Sequence, residues 1–268
     1  MKILVIRAAS AVGGAEIWNL NLYKGFKKHF PNTEFFFITA HSGFGKRLKE
    51  LGANVTVLPV FNEEIGTKKS ILRFLAHAPK YFSVYLFTIL RLCKKEKIQL
   101  IFLQSLTEKI TLSPVLSLLG FKVFWLEQGP FSIYKRIRLV NFLYKFAYFF
   151  SKKTVAVSHD TYRDIIKYAR KKHKLICVQT GIDTNYFSSL AQKDTYRNLN
   201  AKIKNKDFVI GFLGSICVEK GIEDFYRVAS IICERSKNTK FILIGDGPLM
   251  CWFKNKIRME QLDARFIL

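Results

Sequence analysis

Residues 2–7 read KILVIR, and residues 12–16, a little further on, read VGGAE. The first run is apolar and rich in β-branched side chains, which is typical of a buried strand. The paired glycines Gly13 and Gly14 allow the backbone to turn tightly and to approach a ligand closely, and the helix start that follows offers unpaired N–H groups. The segment is not GxGxxG, so a nicotinamide or flavin site loses its main support. This strand–turn–helix unit predicts an α/β domain, and an ordinary strand-to-helix turn without a ligand remains the alternative for the glycines.

Further apolar, β-branched or aromatic runs alternate with helix-like segments along the rest of the chain. Strands are predicted at residues 2–7, 34–39, 54–59, 99–104, 122–126, 154–157, 175–179, 208–212, 240–244 and 265–268. Helices are predicted between many of them, including residues 16–29, 45–51, 161–172 and 221–235. Continuous apolar strands that alternate with helices are typical of parallel sheets covered on both faces.

A polar stretch at residues 184–207 interrupts this pattern, and the strands resume at Phe208. We therefore predict two domains, residues 1–190 and residues 208–268, joined by a linker at residues 191–207. Ligands of open α/β sheets bind at the carboxyl ends of the strands, so a cleft between two such domains is the predicted ligand site.

Composition narrows the class of protein. The chain has 268 residues, of which 49% are hydrophobic and 15% aromatic, and this excludes wholesale disorder. No run reaches the roughly 18 uninterrupted apolar residues of a membrane-spanning helix. The five cysteines are scattered, without a CxxC pair or metal-ligand spacing. We therefore predict buried structural thiols in a reducing cytoplasm and no metal site.

Charge is the most unusual property of the composition. Forty-four Lys and Arg residues against twenty Asp and Glu residues give a net charge of +24. A field of this size attracts polyanions, which include nucleic acid, anionic lipid headgroups and phosphorylated substrates. No RNP-like aromatic motif, zinc-finger spacing or evident helix-turn-helix accompanies the charge, so we predict no specific nucleic-acid partner.

Three glycine-containing segments follow predicted strands in the second half of the chain. Residues 180–183 read TGID, residues 211–221 read GFLGSICVEKG, and residues 244–248 read IGDGP. Lys220 lies beside Gly221 at the start of a predicted helix, where a cation and converging backbone N–H groups suit a diphosphate. Each segment alone is also consistent with an ordinary loop, and Lys220 with a solvated surface lysine.

Taken in order, the VGGAE, TGID, GFLGSICVEKG and IGDGP segments resemble the family 4 glycosyltransferases of GT-B type, over essentially the whole chain. The resemblance implies an α/β fold of two Rossmann-like parallel-sheet domains that face a cleft, with the acceptor bound mainly by the first domain and the donor by the second. It implies retaining transfer of a sugar from a nucleotide-diphosphate sugar to a glycan or lipid-linked acceptor, with no cofactor and no metal. The implied residues of the acceptor and donor loops are Gly13, Gly14, Glu16, Glu127 and Gly129. Those implied for the donor diphosphate are Gly214, Ser215, Lys220 and Gly221, and those at the cleft edge are Gly245, Asp246 and Gly247.

The chain departs from the family pattern at three points. Ser215 stands where the family usually has an arginine, which removes one cation from the donor diphosphate. Gln128 stands where a histidine is common; an amide hydrogen-bonds a sugar but exchanges no proton near neutral pH, so the catalytic residue stays unassigned. The later E-x7-E motif is absent, so we expect an incomplete second domain and no turnover by the chain as given.

Two aromatic and basic segments, residues 65–95 and residues 128–159, contain no acidic residue. On helices, their basic and polar residues form one stripe each: Arg73, His77, Lys80, Arg91 and Lys95 in the first, and Arg138, Asn141, Lys145 and Lys152 in the second. Helices with wide apolar faces and only basic charges suit a membrane interface, but helices packed on a sheet with lysines at their rims have the same pattern. Because many members of the family act on lipid-linked acceptors, the resemblance favours contact with an anionic membrane.

The predicted function is therefore sugar transfer in the synthesis of cell-surface polysaccharide, lipopolysaccharide or another glycolipid. The predicted location is cytoplasmic and peripheral, on the inner face of the cell membrane. The alternative is a catalytically inactive remnant that keeps a membrane- or glycan-binding surface. A nucleic-acid-binding protein is a third hypothesis, which rests on charge alone.

Overall fold

The structure, a computed structural model, describes residues 1–8, 12–58, 68–129, 137–169, 172–182, 184, 203 and 206–268. The chain divides into two compact units, Met1–Ile182 and Asp183–Leu268. The predicted linker at residues 191–207 lies almost wholly outside the described residues, so the predicted domain bounds stay predictions.

The first unit alternates strands and helices. In chain order, its elements are β1 (Lys2–Arg7), α1 (Gly14–His29), β2 (Glu34–Thr39), α2 (Ser42–Glu50), β3 (Asn54–Val57), α3 (Lys68–Glu96), β4 (Leu100–Leu103), α4 (Leu106–Leu118), β5 (Lys122–Glu127), α5 (Arg138–Phe149), β6 (Lys153–Ala156), α6 (His159–Ala169), a 3-10 turn (Lys172–Lys174) and β7 (Leu175–Cys177). The strands form one sheet of order β3-β2-β1-β4-β5-β6-β7, in which neighbouring strands are parallel. The strand order reverses between β1 and β4, which makes the carboxyl ends of these strands the topological switch point where ligands of such sheets bind.

Different helices cover the two faces of this sheet, because successive side chains of a strand point to opposite faces. On one face, Leu4 and Trp125 belong to a core shared with α3, α4, α5 and α6. On the other face, Val5 and Phe37 pack with α1 and α2. The prediction of a parallel sheet covered on both faces is confirmed.

The second unit repeats the pattern on a smaller scale. Its elements are β8 (Phe208–Leu213), a 3-10 turn (Val218–Lys220), α7 (Ile222–Arg235), β9 (Thr239–Ile244), α8 (Met250–Met259), a second 3-10 turn (Asp263–Arg265) and β10 (Phe266–Ile267). The strands form a parallel sheet of order β10-β9-β8. Phe241, Phe253 and Phe266 are central to its core. The molecule therefore contains two separate parallel α/β units, as the strand and helix pattern predicts.

The predicted strands agree with the observed ones to within two residues at each end, with Pro59 outside the described residues. Helix bounds differ more. Helix α2 begins three residues before the prediction because Nδ1 of His41 accepts a hydrogen bond from the backbone N–H of Phe44 at 3.1 Å and caps the helix. Helix α6 is described as far as Ala169; residues 170–171 of its predicted span lie outside the described residues, and Lys172 begins a 3-10 turn. Helices α4 and α8 were not predicted.

Helix α3 continues through Pro79, so the register assumed for its basic stripe is kept. Arg73 lies in the part of α3 whose side chains are outside the described residues. Within the described ranges, no helix combines the length and the hydropathy that a bilayer-spanning segment needs.

Candidate functional site

A pocket of about 350 Å³ opens at the carboxyl edge of the first sheet. Its walls come from the first turns of α1 and from the residues that follow β5, β6 and β7. The lining residues are Gly14, Ala15, Ile17, Trp18, Asn21, Gln128, Val157, Thr180, Gly181 and Ile182. All of them belong to the first unit. A mostly apolar wall with a few amide and hydroxyl groups is typical of small-molecule sites, where the polar groups orient the ligand.

Glu16 fixes the glycine turn at one side of this pocket. Its Oε2 accepts a hydrogen bond from the backbone N–H of Gly13 at 2.9 Å, and its Oε1 lies 2.8 Å from Nε of Arg7, which donates to it. The Glu16 side chain is almost completely buried. Because both carboxylate oxygens are used within the protein, the geometry makes Glu16 an anchor for the start of α1. Its predicted contact with a ligand stays a prediction.

A second buried network holds the end of β5 in place. Nζ of Lys109 lies 2.9 Å from Oε2 of Glu127 and donates to the carbonyl oxygen of Leu126 at 2.6 Å. The hydroxyl of Tyr144 donates to Oε1 of Glu127 at 3.1 Å. Burial lowers the pKa of Lys109, and the Glu127 carboxylate opposes that shift. Burial also raises the pKa of Tyr144 well above its ordinary value. Glu127 is thus tied to two neighbours immediately before the pocket residue Gln128.

Gln128 and Gly14 are the two predicted site residues that the structure brings together in the pocket. The Oε1 atom of Gln128 is buried and has no hydrogen-bond partner among the described residues. A buried acceptor without a partner costs free energy. Gln128 is therefore a pocket residue whose amide oxygen is not satisfied by the described protein groups. Gly13 and Gly129 are exposed beside the pocket and do not line it.

Several pocket residues were not predicted as site residues. Trp18 and Asn21 follow Gly14 at helical spacing on α1, so the periodicity of the helix that leaves the glycine turn was a usable signal. Thr180 and Gly181 belong to the TGID segment, which was noted as a turn but given no role. Val157 follows β6, and its sequence context carries no comparable signal.

In the second unit, the predicted glycines hold two loops against each other. The backbone N–H of Gly214 donates to the carbonyl oxygen of Ile244 at 3.0 Å, and that of Ile216 donates to the carbonyl oxygen of Asp246 at 3.0 Å. A Cβ atom on Gly245 would lie 1.9 Å from the carbonyl oxygen of Gly214, and Gly245 has a φ of +147°. Glycine at this position therefore follows from close packing of the loops after β8 and β9.

The same two loops lie beside the start of α7. Gly221 adopts the left-handed conformation with a φ of 73° and accepts the first helical hydrogen bond, from the N–H of Phe225 at 2.9 Å. Ser215 and Lys220 are exposed at this edge of the sheet. An ammonium group near free N–H groups at a helix start attracts an anion. The predicted donor residues and the predicted cleft-edge residues thus share one edge of the second sheet.

No family model matches the chain, and no curated protein matches it. Solved structures with the same fold do match. HepE of Anabaena, solved with UDP and glucose, is 17% identical with a TM-score of 0.72, and the match covers 99% of this chain and 68% of HepE. A glycosyltransferase of Rickettsia africae is 16% identical with a TM-score of 0.67, and the match covers 99% of this chain and 67% of that protein.

A UDP-N-acetylglucosamine 2-epimerase is also similar, at 12% identity and a TM-score of 0.64, over 100% of this chain and 68% of the epimerase. Identities this low establish the fold alone. The predicted fold class, two parallel-sheet α/β units of GT-B type, is confirmed. Assignment to family 4 stays a prediction.

Proposed function

We propose that the chain acts in sugar transfer from a nucleotide-diphosphate sugar to a glycan or lipid-linked acceptor, as a member of the family 4 glycosyltransferases. The observation that carries the proposal is the arrangement of the second unit, where two glycine-packed loops and the exposed Lys220 meet at the start of α7. A diphosphate is the part of a nucleotide sugar that such a helix start suits. That HepE was solved with UDP and glucose on a similar fold is consistent with this donor class.

In this proposal the two units divide the substrates between them. The second unit holds the donor diphosphate through Ser215, Lys220 and backbone N–H groups. The first unit holds the acceptor in the pocket, where Trp18 offers an aromatic wall and Gln128 an amide. Because an amide exchanges no proton near neutral pH, Gln128 orients the sugar and does not act as an acid or a base.

A second candidate is a binding protein without turnover, which one observation favours. Both carboxylates predicted for the acceptor and donor loops, Glu16 and Glu127, have their oxygens engaged by protein groups. Neither of these two carboxylates lines the pocket. A donor that binds but is neither hydrolysed nor transferred would identify this candidate.

The proposal also places the chain at the cytoplasmic face of an anionic membrane, as a peripheral protein that supplies cell-surface polysaccharide or glycolipid synthesis. Its support is the net charge of +24 and the two segments without an acidic residue. We propose no specific nucleic-acid partner.

The test is a calorimetric titration of the full chain with UDP, ADP and GDP and with the matching nucleoside monophosphates. At least one diphosphate should bind more tightly than its monophosphate, because the second phosphate reaches the loops beside Lys220. Donor hydrolysis is then measured with the sugar derivative of the nucleotide that binds. Equal, weak binding of all six nucleotides would contradict the proposal.

A further inference from the structure

Helix α5 has two apolar faces, and one of them packs in the core of the first unit. Val140, Tyr144, Ala147 and Tyr148 are buried in the core of the first unit. The rings of Tyr144 and Tyr148 pack against Trp125 with centroids 5.2 and 5.6 Å apart. This face alone accounts for the attachment of the helix to the sheet.

The opposite face of α5 carries a second apolar stripe, formed by Leu139, Phe142, Phe146 and Phe149. These side chains are 53%, 66%, 52% and 60% exposed. Separations of three, four and three residues place them along one side of the helix. The rings of Phe146 and Phe149 also contact Phe150, with centroids 5.3 and 5.5 Å apart, but more than half of each side chain in the stripe stays exposed. Exposed apolar surface of this kind marks an interaction site.

The charged residues of α5 and of the segment that follows it directly are all basic. Arg138 and Lys145, seven residues apart, lie along one flank, and Lys152 follows the helix; all three are exposed. Nζ of Lys174 lies 5.5 Å from the ring centroid of Phe149. Residues 128–159 contain no acidic side chain. The partner must therefore be apolar where it meets the rings and anionic at their border.

Helix α3, the other basic and aromatic segment, differs in this respect. Its residues Tyr81, Tyr85, Ile89 and Cys93 are buried against the sheet. Phe87 is the one large apolar side chain that is mostly exposed among the described side chains of α3. The alternative of a helix packed on the sheet thus fits the part of α3 whose side chains are described, whereas α5 combines that packing with a second, exposed stripe.

We propose that α5 lies in the headgroup region of an anionic membrane, with Phe142 and Phe146 inserted at the acyl boundary and Arg138, Lys145 and Lys152 on lipid phosphates. Helices that lie on membranes bury an aromatic face and keep lysines and arginines at headgroup level. A second copy of the chain is a poorer occupant. A symmetric contact through the stripe would bring the basic flanks of both copies into one interface with no acidic side chain of this segment to neutralise them.

The experiment is flotation of the full chain with vesicles of phosphatidylcholine, with or without phosphatidylglycerol. The wild type should float with the anionic vesicles and not with the neutral ones, and about 1 M salt should weaken its binding through screening. The double variant Phe142→Ser/Phe146→Ser should lose binding by at least about tenfold, because both inserted rings are removed. Lys145→Glu/Lys152→Glu should lose at least about thirtyfold, since each basic residue near an anionic surface contributes about a fivefold factor.

The matched control is Leu118→Ser/Leu119→Ser, which removes two exposed apolar side chains at the end of α4, outside the stripe. Its vesicle binding should equal that of the wild type. Unchanged thermal unfolding of all three variants shows that the substitutions act at the surface. Phe87→Ser should also bind normally, because Phe87 is not part of an exposed stripe among the described side chains of α3.

Three results would overturn the proposal. The first is anionic-vesicle binding that survives Phe142→Ser/Phe146→Ser. The second is a wild-type dimer that this variant converts to a monomer, since the stripe then covers a second copy. The third is a single-stranded RNA that competes with vesicles for the wild type and loses affinity for the phenylalanine variant. The membrane contact of α5 rests on the proposed function in one respect: a lipid-linked acceptor is what would require the protein to be at a membrane. Vesicle binding is measured without a nucleotide sugar, so its failure and a failure of donor binding are separate results.

Discussion

Replacing Lys109 by methionine would leave the Glu127 carboxylate buried without its cation. The two groups are 2.9 Å apart, and their side chains are 2% and 11% exposed. Removal of one partner of such a pair costs about 3–5 kcal/mol. Tyr144 keeps its hydrogen bond to the carboxylate, and methionine fills most of the volume of the lysine stem. We therefore expect a loss near the lower limit, about 3 kcal/mol in the free energy of unfolding, or roughly 6–12 °C in Tm.

Unfolding is followed by tryptophan fluorescence, because the fully buried Trp125 lies in the same core, with its ring centroid 6.0 Å from Nζ of Lys109. The double variant Lys109→Met/Glu127→Gln removes both charges and should recover to within about 1 kcal/mol of the wild type. The exposed Lys94→Met is the matched control and should change stability by less than about 0.5 kcal/mol. A loss below about 1 kcal/mol for Lys109→Met, or a double variant no more stable than the single one, would refute the buried pair.

Three further outcomes follow from the structure. Gly245→Ala should destabilise the second unit by about 2–6 kcal/mol, because Gly245 has a positive φ and an added Cβ would clash with Gly214. Gly211→Ala is the control and should leave the stability unchanged, because its Cβ would meet no atom within 4 Å. Limited proteolysis of the full chain, with cleavage within residues 208–268 as the readout, would measure both effects. Glu108 accepts a hydrogen bond from the backbone N–H of Ala8 at 2.8 Å, and burial raises the pKa of its carboxyl group above the ordinary 4.5. Its charged or titratable neighbours are Arg7, Lys109, Tyr81 and Tyr85. The stability that the protonated carboxyl group contributes is fully present below pH 4.5 and is lost as the pH rises through the raised pKa. Glu108→Gln should therefore be more stable than the wild type at neutral pH and equally stable in acid. Midpoints of urea unfolding, measured across this pH range, would test the difference. Ser215→Arg should tighten the binding of a nucleoside diphosphate, and calorimetry that finds equal or weaker binding would contradict the role given to position 215.

Strand positions could be predicted because parallel strands buried on both faces are continuous apolar runs, such as those of β1 and β2. Helix α4 escaped prediction because its apolar residues are not confined to one side and it buries polar ones, including Glu108, Lys109 and Ser113. Such a segment has little amphipathic periodicity to detect.

The sequence located the glycine turns of the candidate site, but it did not reveal the roles of the charged residues beside them. Glu16 and Glu127 are predicted as ligand contacts, but their partners Arg7 and Lys109 are brought to them by tertiary structure. Gly245 is predicted beside a ligand, whereas the close approach of the loop at Gly214 explains it without one. Sequence also cannot assign the faces of α5, because both of its apolar faces have helical spacing and only packing decides which one is buried.

The proposed function requires the second unit to hold a nucleotide diphosphate at the start of α7. The most direct test is calorimetric binding of UDP, or of whichever diphosphate binds best, to Lys220→Ala and to Lys237→Ala. Both lysines are exposed in the same unit, but Lys237 precedes β9 and lies at the amino edge of the sheet. Lys220→Ala should raise the Kd roughly ten- to hundredfold, as expected for a lost charge-assisted hydrogen bond, and Lys237→Ala should leave it unchanged. Equal affinities in both variants and the wild type, or equal losses in both variants, would contradict a diphosphate site at this edge.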